Sequence, residues 1–79
     1  MRDGVERLVA MANDIANFFH SEPDREAGID GVATHIRRFW DPRMRRKIIT
    51  HLGEHDGEGL NDIARAAIVR LAALSPPNA

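Results

Sequence analysis

The sequence predicts an all-α fold, a small single-domain bundle of four short helices. Three observations carry that expectation. Apolar residues recur with a helical period along almost the whole chain. β-Branched residues are scattered and never alternate for long. The periodic segments are separated by strong stop and start signals at Pro23, at Asp41-Pro42 and in the glycine-rich stretch 53–59.

The first helix is expected over about residues 3–20. Val5, Leu8, Ala12, Ile15, Ala16 and Phe19 mark one face, widened by Met11 and Phe18. Asn13, Asp14 and Asn17 form its polar side. Pro23 disfavours a helical conformation at Glu22 and should end the helix near His20-Ser21.

The second is expected over about 23–39. Pro23 suits a first-turn position, and Asp24 and Glu26 suit the positive N-terminal end. Ile29, Val32, Ala33, Ile36 and Trp40 share a stripe flanked by Phe39, with His35 and Arg38 opposite. Gly28 and Gly31 each weaken the helix by about 1 kcal/mol relative to alanine. Either they permit a close helix crossing or the first turn is irregular.

The third is expected over about 42–52, with Asp41 as N-cap, Pro42 at N1 and Gly53 as its terminator. Met44, Ile48 and Leu52 form its inner stripe, and Arg46 and Lys47 fall in its C-terminal half. The fourth is expected over about 61–74, capped by Asn61, with Leu60 as half of a hydrophobic staple. Ile63, Ala64, Ala67, Ile68, Leu71 and Leu74 make its core face. Residues 75–79 read as a frayed tail.

The expected core is Leu8, Ile15, Phe19, Ile29, Val32, Ile36, Met44, Ile48, Leu52, Ile63, Ala67 and Leu71. Val9, Ile49, Val69, Phe18 and Trp40 do not fit it, and are either scattered surface residues or parts of a docking patch.

Composition narrows the function. With 79 residues and no cysteine, neither disulfides nor thiolate metal sites reinforce the fold. No apolar run approaches the roughly 18 residues of a membrane span, and the N-terminus lacks the apolar core of a secretion signal. The expectation is a soluble, cytoplasmic protein without membrane contact. The net charge is −1, which gives no global attraction to nucleic acid. Charge is nonetheless segregated. Arg37, Arg38, Arg43, Arg45, Arg46 and Lys47 cluster around Asp41, and Glu54, Asp56, Glu58 and Asp62 follow with no basic residue among them. Such zones steer a complementary partner.

No catalytic constellation stands out. His51-Leu52-Gly53-Glu54-His55 formally matches the inverted zinc-protease pattern, whose chemistry needs both histidines on one helix. Gly53 argues that the helix stops between them, leaving a chance match. There is no phosphate-binding glycine loop, and Ser21 and Ser75 both lie at helix ends. The arginine block after a turn allows a helix-turn-helix reading, but the chain is not basic overall and has no aromatic platform. Protein docking is the stronger reading, because tryptophan and arginine dominate interface hot spots.

Two strings resemble a known family. They are Met11-Ala12-Asn13-Asp14-Ile15-Ala16-Asn17-Phe18-Phe19 and His35-Ile36-Arg37-Arg38-Phe39-Trp40-Asp41-Pro42-Arg43-Met44-Arg45. They resemble segments of the delta subunit of cytoplasmic NAD-dependent formate dehydrogenase, a molybdenum- or tungsten-containing complex. The resemblance spans about residues 8–74. It implies a non-catalytic accessory subunit with no cofactor of its own. In such complexes the alpha subunit carries the bis-pterin metal site and iron–sulfur clusters. The beta subunit carries FMN and the NAD site, and the gamma subunit carries further clusters. The implied partners are these larger subunits, the catalytic alpha subunit first among them.

Phe39, Trp40, Arg43 and Arg45 are the expected docking residues, supported by Phe18 and Phe19. Trp40 has a second reading as a core plug beneath the turn between the second and third helices. The chain is also expected to self-associate when its partner is absent. The alternatives are a transient assembly chaperone for the catalytic subunit and a small helical DNA-binding regulator.

Overall fold

The helix ends decide the architecture. The computed structural model describes residues 4–74, and its elements are α1 Val5–Phe19, α2 Arg25–Phe39, α3 Pro42–His55 and α4 Asp62–Leu74. The tail expected to fray, 75–79, lies outside the described residues.

Gly4 has φ 92°, a left-handed conformation that cannot continue a right-handed helix, so α1 starts at Val5 rather than near residue 3. Its end matches expectation, with His20 as the last half-helical residue. Asp24 lies outside α2, not within it. Its backbone is extended and its carboxylate accepts the Glu26 amide at 3.0 Å. The cap therefore falls one residue after Pro23, and α2 begins at Arg25, not at 23. At α3, Asp41 caps the Met44 amide at 2.9 Å and Pro42 occupies the first turn. At α4, Asn61 accepts the Ala64 amide at 2.8 Å.

The largest departure is the end of α3. It runs to His55, three residues past the expected 52. Gly53 stays helical, since a glycine within a helix lowers stability by about 1 kcal/mol without breaking it. The stop comes where the backbone turns left-handed at Asp56 (φ 55°) and Gly57 (φ 70°). The Gly57 amide then donates to the His51 carbonyl at 3.3 Å. Arg46 and Lys47 consequently sit in the N-terminal half of α3, and His55 is the basic residue of its last turn.

The loop after α3 is held by α1. Asn13 Nδ2 donates to the Gly59 carbonyl at 2.9 Å, and Asn13 Oδ1 accepts the Asn61 amide at 2.8 Å. His51 Nε2 lies 2.8 Å from the Glu58 carbonyl. Arg65 pairs with Asp56 across the same loop.

The core lies between α2 and α4, the most extensively packed pair, with α1 against α2 and α3 against α4. Ile29, Val32, Ile36, Ile48, Ile68 and Leu71 are its largest fully buried side chains. Ala12, Ala16, Ala33, Ala64 and Ala67 are buried with them. These small residues let the helix backbones approach, so bulkier residues beside them move to the periphery. Ile15, Phe19, Met44, Leu52 and Ile63, expected in the core, are only partly buried against it.

Arg70 joins α4 to α2 through Glu26 (2.5 Å) and Asp30 (2.7 Å), and Arg25 reaches Asp62 at 2.6 Å. Hydrogen bonds to these carboxylates raise the pKa of both guanidinium groups further above their ordinary value. No described helix is long and apolar enough to cross a membrane.

Candidate functional site

The six residues expected to dock separate into three places. Trp40 is in the core. It is 4% exposed, caps the C-terminal end of α2 where the chain turns into α3, and belongs to the same buried cluster as Ile36 and Ile48. The core-plug reading is therefore the one its burial matches.

Arg45 is held by that same corner. Its Nη1 donates to the Trp40 carbonyl at 2.5 Å and to the Arg37 carbonyl at 3.2 Å. These carbonyls belong to the end of α2, where helical acceptors have no partner in their own helix. The Arg45 guanidinium thus closes α2 from the first turns of α3.

Phe18, Phe19 and Phe39 build an exposed aromatic strip. Phe18 is 78% exposed and Phe39 72% exposed. The Phe18 and Phe19 rings meet edge to face, 5.3 Å between centroids. The Phe19 ring lies on α2 at Gly31. Gly31, His35 and Phe39 are each one turn apart on α2, so they form one row. The His35 ring packs on Phe39 at 4.7 Å. A shallow depression of about 350 Å³ runs along the row, lined also by Asp30, Thr34 and Arg38. His35 was legible only as a polar-face residue. Its spacing of four from Phe39 was the signal that ties it to the strip.

Arg43 belongs to neither place. It borders a groove of about 330 Å³ between α1 and α3, with Arg7, Lys47, Leu8, Met11, Met44 and Gly4. The sequence placed Lys47 in the same basic cluster as Arg43 but did not bring Arg7 to it. The signal was again the helical turn, because Arg43 and Lys47 are four apart on α3 and Arg7 and Met11 four apart on α1.

The helix does not stop between the two histidines. His51 and His55 share one continuous helix, and their rings are 5.5 Å apart. His51 is buried and its Nε2 faces the Glu58 carbonyl. Among the described residues, no group of three or more His, Cys, Asp or Glu side chains is placed to share one metal ion.

The family model of the NADH-dependent formate dehydrogenase delta subunit, FdsD, matches residues 7–68. The chain belongs to the FdsD family. The match runs from within α1 to the middle of α4, and includes the aromatic strip and every named groove residue but Gly4. No curated protein and no solved structure matches the FdsD chain significantly.

Proposed function

We propose that this FdsD chain is a non-catalytic accessory subunit of a cytoplasmic NAD-dependent formate dehydrogenase. It supports assembly or stability of the active complex by docking on the larger subunits, first of all the catalytic alpha subunit. The family match over residues 7–68 carries this reading. The chain's chemistry supports it. It has no cysteine to ligate an iron–sulfur cluster and no glycine-rich phosphate loop for a nucleotide. The bis-pterin metal site, iron–sulfur clusters, FMN and NAD site are assigned to the other subunits.

The aromatic strip is the proposed contact. Two phenylalanines more than two-thirds exposed, joined through Phe19 and His35 into one surface, leave apolar area that a partner would cover. Trp40 and Arg45 serve this surface indirectly by fixing the α2–α3 corner that presents Phe39. Arg43 contacts the partner directly.

Co-expression of all subunits with an affinity tag on this chain tests the proposal. The tagged chain should retain the larger subunits in fixed stoichiometry within the active complex, and omitting it should lower the yield of active complex. Fixed stoichiometry marks a resident subunit, whereas loss of the chain from the mature complex marks a transient chaperone. Full yield of active complex without the chain, and no co-purification, would overturn the proposal.

A further inference from the structure

We infer that the groove between α1 and α3 receives an acidic, amphipathic segment of a larger subunit, an inference that rests on the accessory-subunit reading. Its floor is apolar. Leu8 is 6% exposed, and Met11 and Met44 are half-buried beside it. Its border is cationic: Arg7 from α1, and Arg43 and Lys47 from α3. Among the described residues, no acidic side chain lines it.

The contrast is with the α2–α4 side of the molecule; Arg37, Arg38 and Arg46 also have no carboxylate partner among the described residues, but they do not line this groove. Arg25, Arg65 and Arg70 each hold a carboxylate on another element. Arg7 and Arg43 have no carboxylate partner among the described residues, although both flank a contact between helices. Arg7 and Arg43 repel one another across the groove, and an acidic partner removes that repulsion while accepting hydrogen bonds from both guanidinium groups.

The floor selects the class of partner. Methionine is flexible and polarisable and packs against varied apolar side chains. A segment carrying one or two apolar residues flanked by aspartate or glutamate satisfies both floor and border. A polynucleotide satisfies only the border, and recognition of one rests on a wider basic face than a chain of net charge −1 offers. The groove admits a few side chains, so the occupant is a loop or one helix face of the partner.

The experiment uses the assembled complex. Lys47 is the only lysine of this chain. Carbodiimide joins an amine to a carboxylate at zero length, so a Lys47 cross-link reports the groove. The expected product joins Lys47 to an aspartate or glutamate peptide of a larger subunit. The Arg7→Glu, Arg43→Glu double variant should remove that product and reduce retention of the chain by about tenfold at roughly 0.15 M salt. Arg7→Gln with Arg43→Gln should give a smaller loss with unchanged helicity, which separates docking from folding. Cross-links from Lys47 confined to its own chain would overturn the inference. So would retention of a folded Glu double variant equal to wild type. If the wild-type chain fails to co-purify at all, the accessory-subunit reading itself fails.

Discussion

The ring of Phe19 occupies the space that a side chain at Gly31 would enter. A Cβ at residue 31 would lie 2.6 Å from Phe19 Cε1 and 2.7 Å from Cδ1. Nearby, a Cβ at Gly28 would approach the Phe19 carbonyl to 3.2 Å. The two glycines of α2 therefore mark where the end of α1 crosses it. Of the two readings open from sequence, a close crossing or an irregular first turn, the crossing is the one observed.

Gly31→Ala should consequently change sign with its neighbour. In the wild-type background the gain in helix propensity, about 1 kcal/mol, is outweighed by overpacking of about 1–3 kcal/mol. The expected result is a net loss near 1 kcal/mol. With Phe19→Ala the clash disappears, and the same change should stabilise by about 1 kcal/mol. Urea unfolding of the four proteins, followed by Trp40 fluorescence, measures both. The same sign in both backgrounds would refute the crossing as the reason for glycine.

Trp40 should behave as a core residue. It is almost fully buried, so its emission should be blue-shifted in the isolated chain and shift to the red on unfolding. Trp40→Ala should lower stability by about 3–5 kcal/mol, much of what a domain this small possesses. Trp40→Phe should fold with a loss of about 1–2 kcal/mol. Solvent-exposed emission from a folded wild-type chain would contradict the burial.

The loop 56–61 should depend on one asparagine of α1. Asn13 serves the Gly59 carbonyl as donor and the Asn61 amide as acceptor, so Asn13→Asp loses the donor and sets a carboxylate against a carbonyl. The expected loss is about 1–3 kcal/mol. Asn61→Asp keeps the acceptor for the Ala64 amide at the α4 N-terminus, and should change stability by less than about 0.5 kcal/mol. Thermal unfolding of the two variants, side by side, checks the order.

How much of this was legible follows from what each feature depends on. Asp41-Pro42 and Asn61 act on amides two or three residues away, so local sequence identifies them as helix starts. The stripe through Ile29, Val32 and Ile36 follows from period alone. The end of α3 was not legible, because Gly53 is a better local stop than Asp56. The helix continues until His51 can engage Gly57 and Glu58, a contact fixed by the loop's path against α1. Asn13 read as a wet-side residue for the same reason, since its partners are 46 and 48 residues away. The docking set divided because sequence proximity of Trp40, Arg43 and Arg45 says nothing about which side of a corner each one occupies.

The aromatic strip should govern self-association of the isolated chain. Phe18 and Phe39 already face solvent, so Phe18→Ser with Phe39→Ser should leave helicity and thermal midpoint nearly unchanged. Light scattering should show wild-type mass rising with concentration and the double variant remaining monomeric. A wild-type chain that stays monomeric at high concentration, or a double variant that associates equally, would remove the strip as the surface that needs cover.

Arg43 and Arg45 are two residues apart and should fail in different ways. Arg45 donates to the Trp40 and Arg37 carbonyls, so Arg45→Ala leaves these acceptors at the end of α2 without their donor. The isolated chain should lose about 1–3 kcal/mol, a charged donor being worth more than a neutral one. Retention in the complex should then fall only as far as the folded fraction does. Arg43 is exposed at the groove and has no carboxylate partner among the described residues, so Arg43→Ala should leave stability within about 0.5 kcal/mol. Its effect should appear in retention, and that effect should shrink as salt screens the groove. Thermal unfolding of each isolated variant, paired with co-purification at low and high salt, separates the two. If Arg43→Ala unfolds the chain as readily as Arg45→Ala, the arginine at the groove is structural and does not belong to a partner surface.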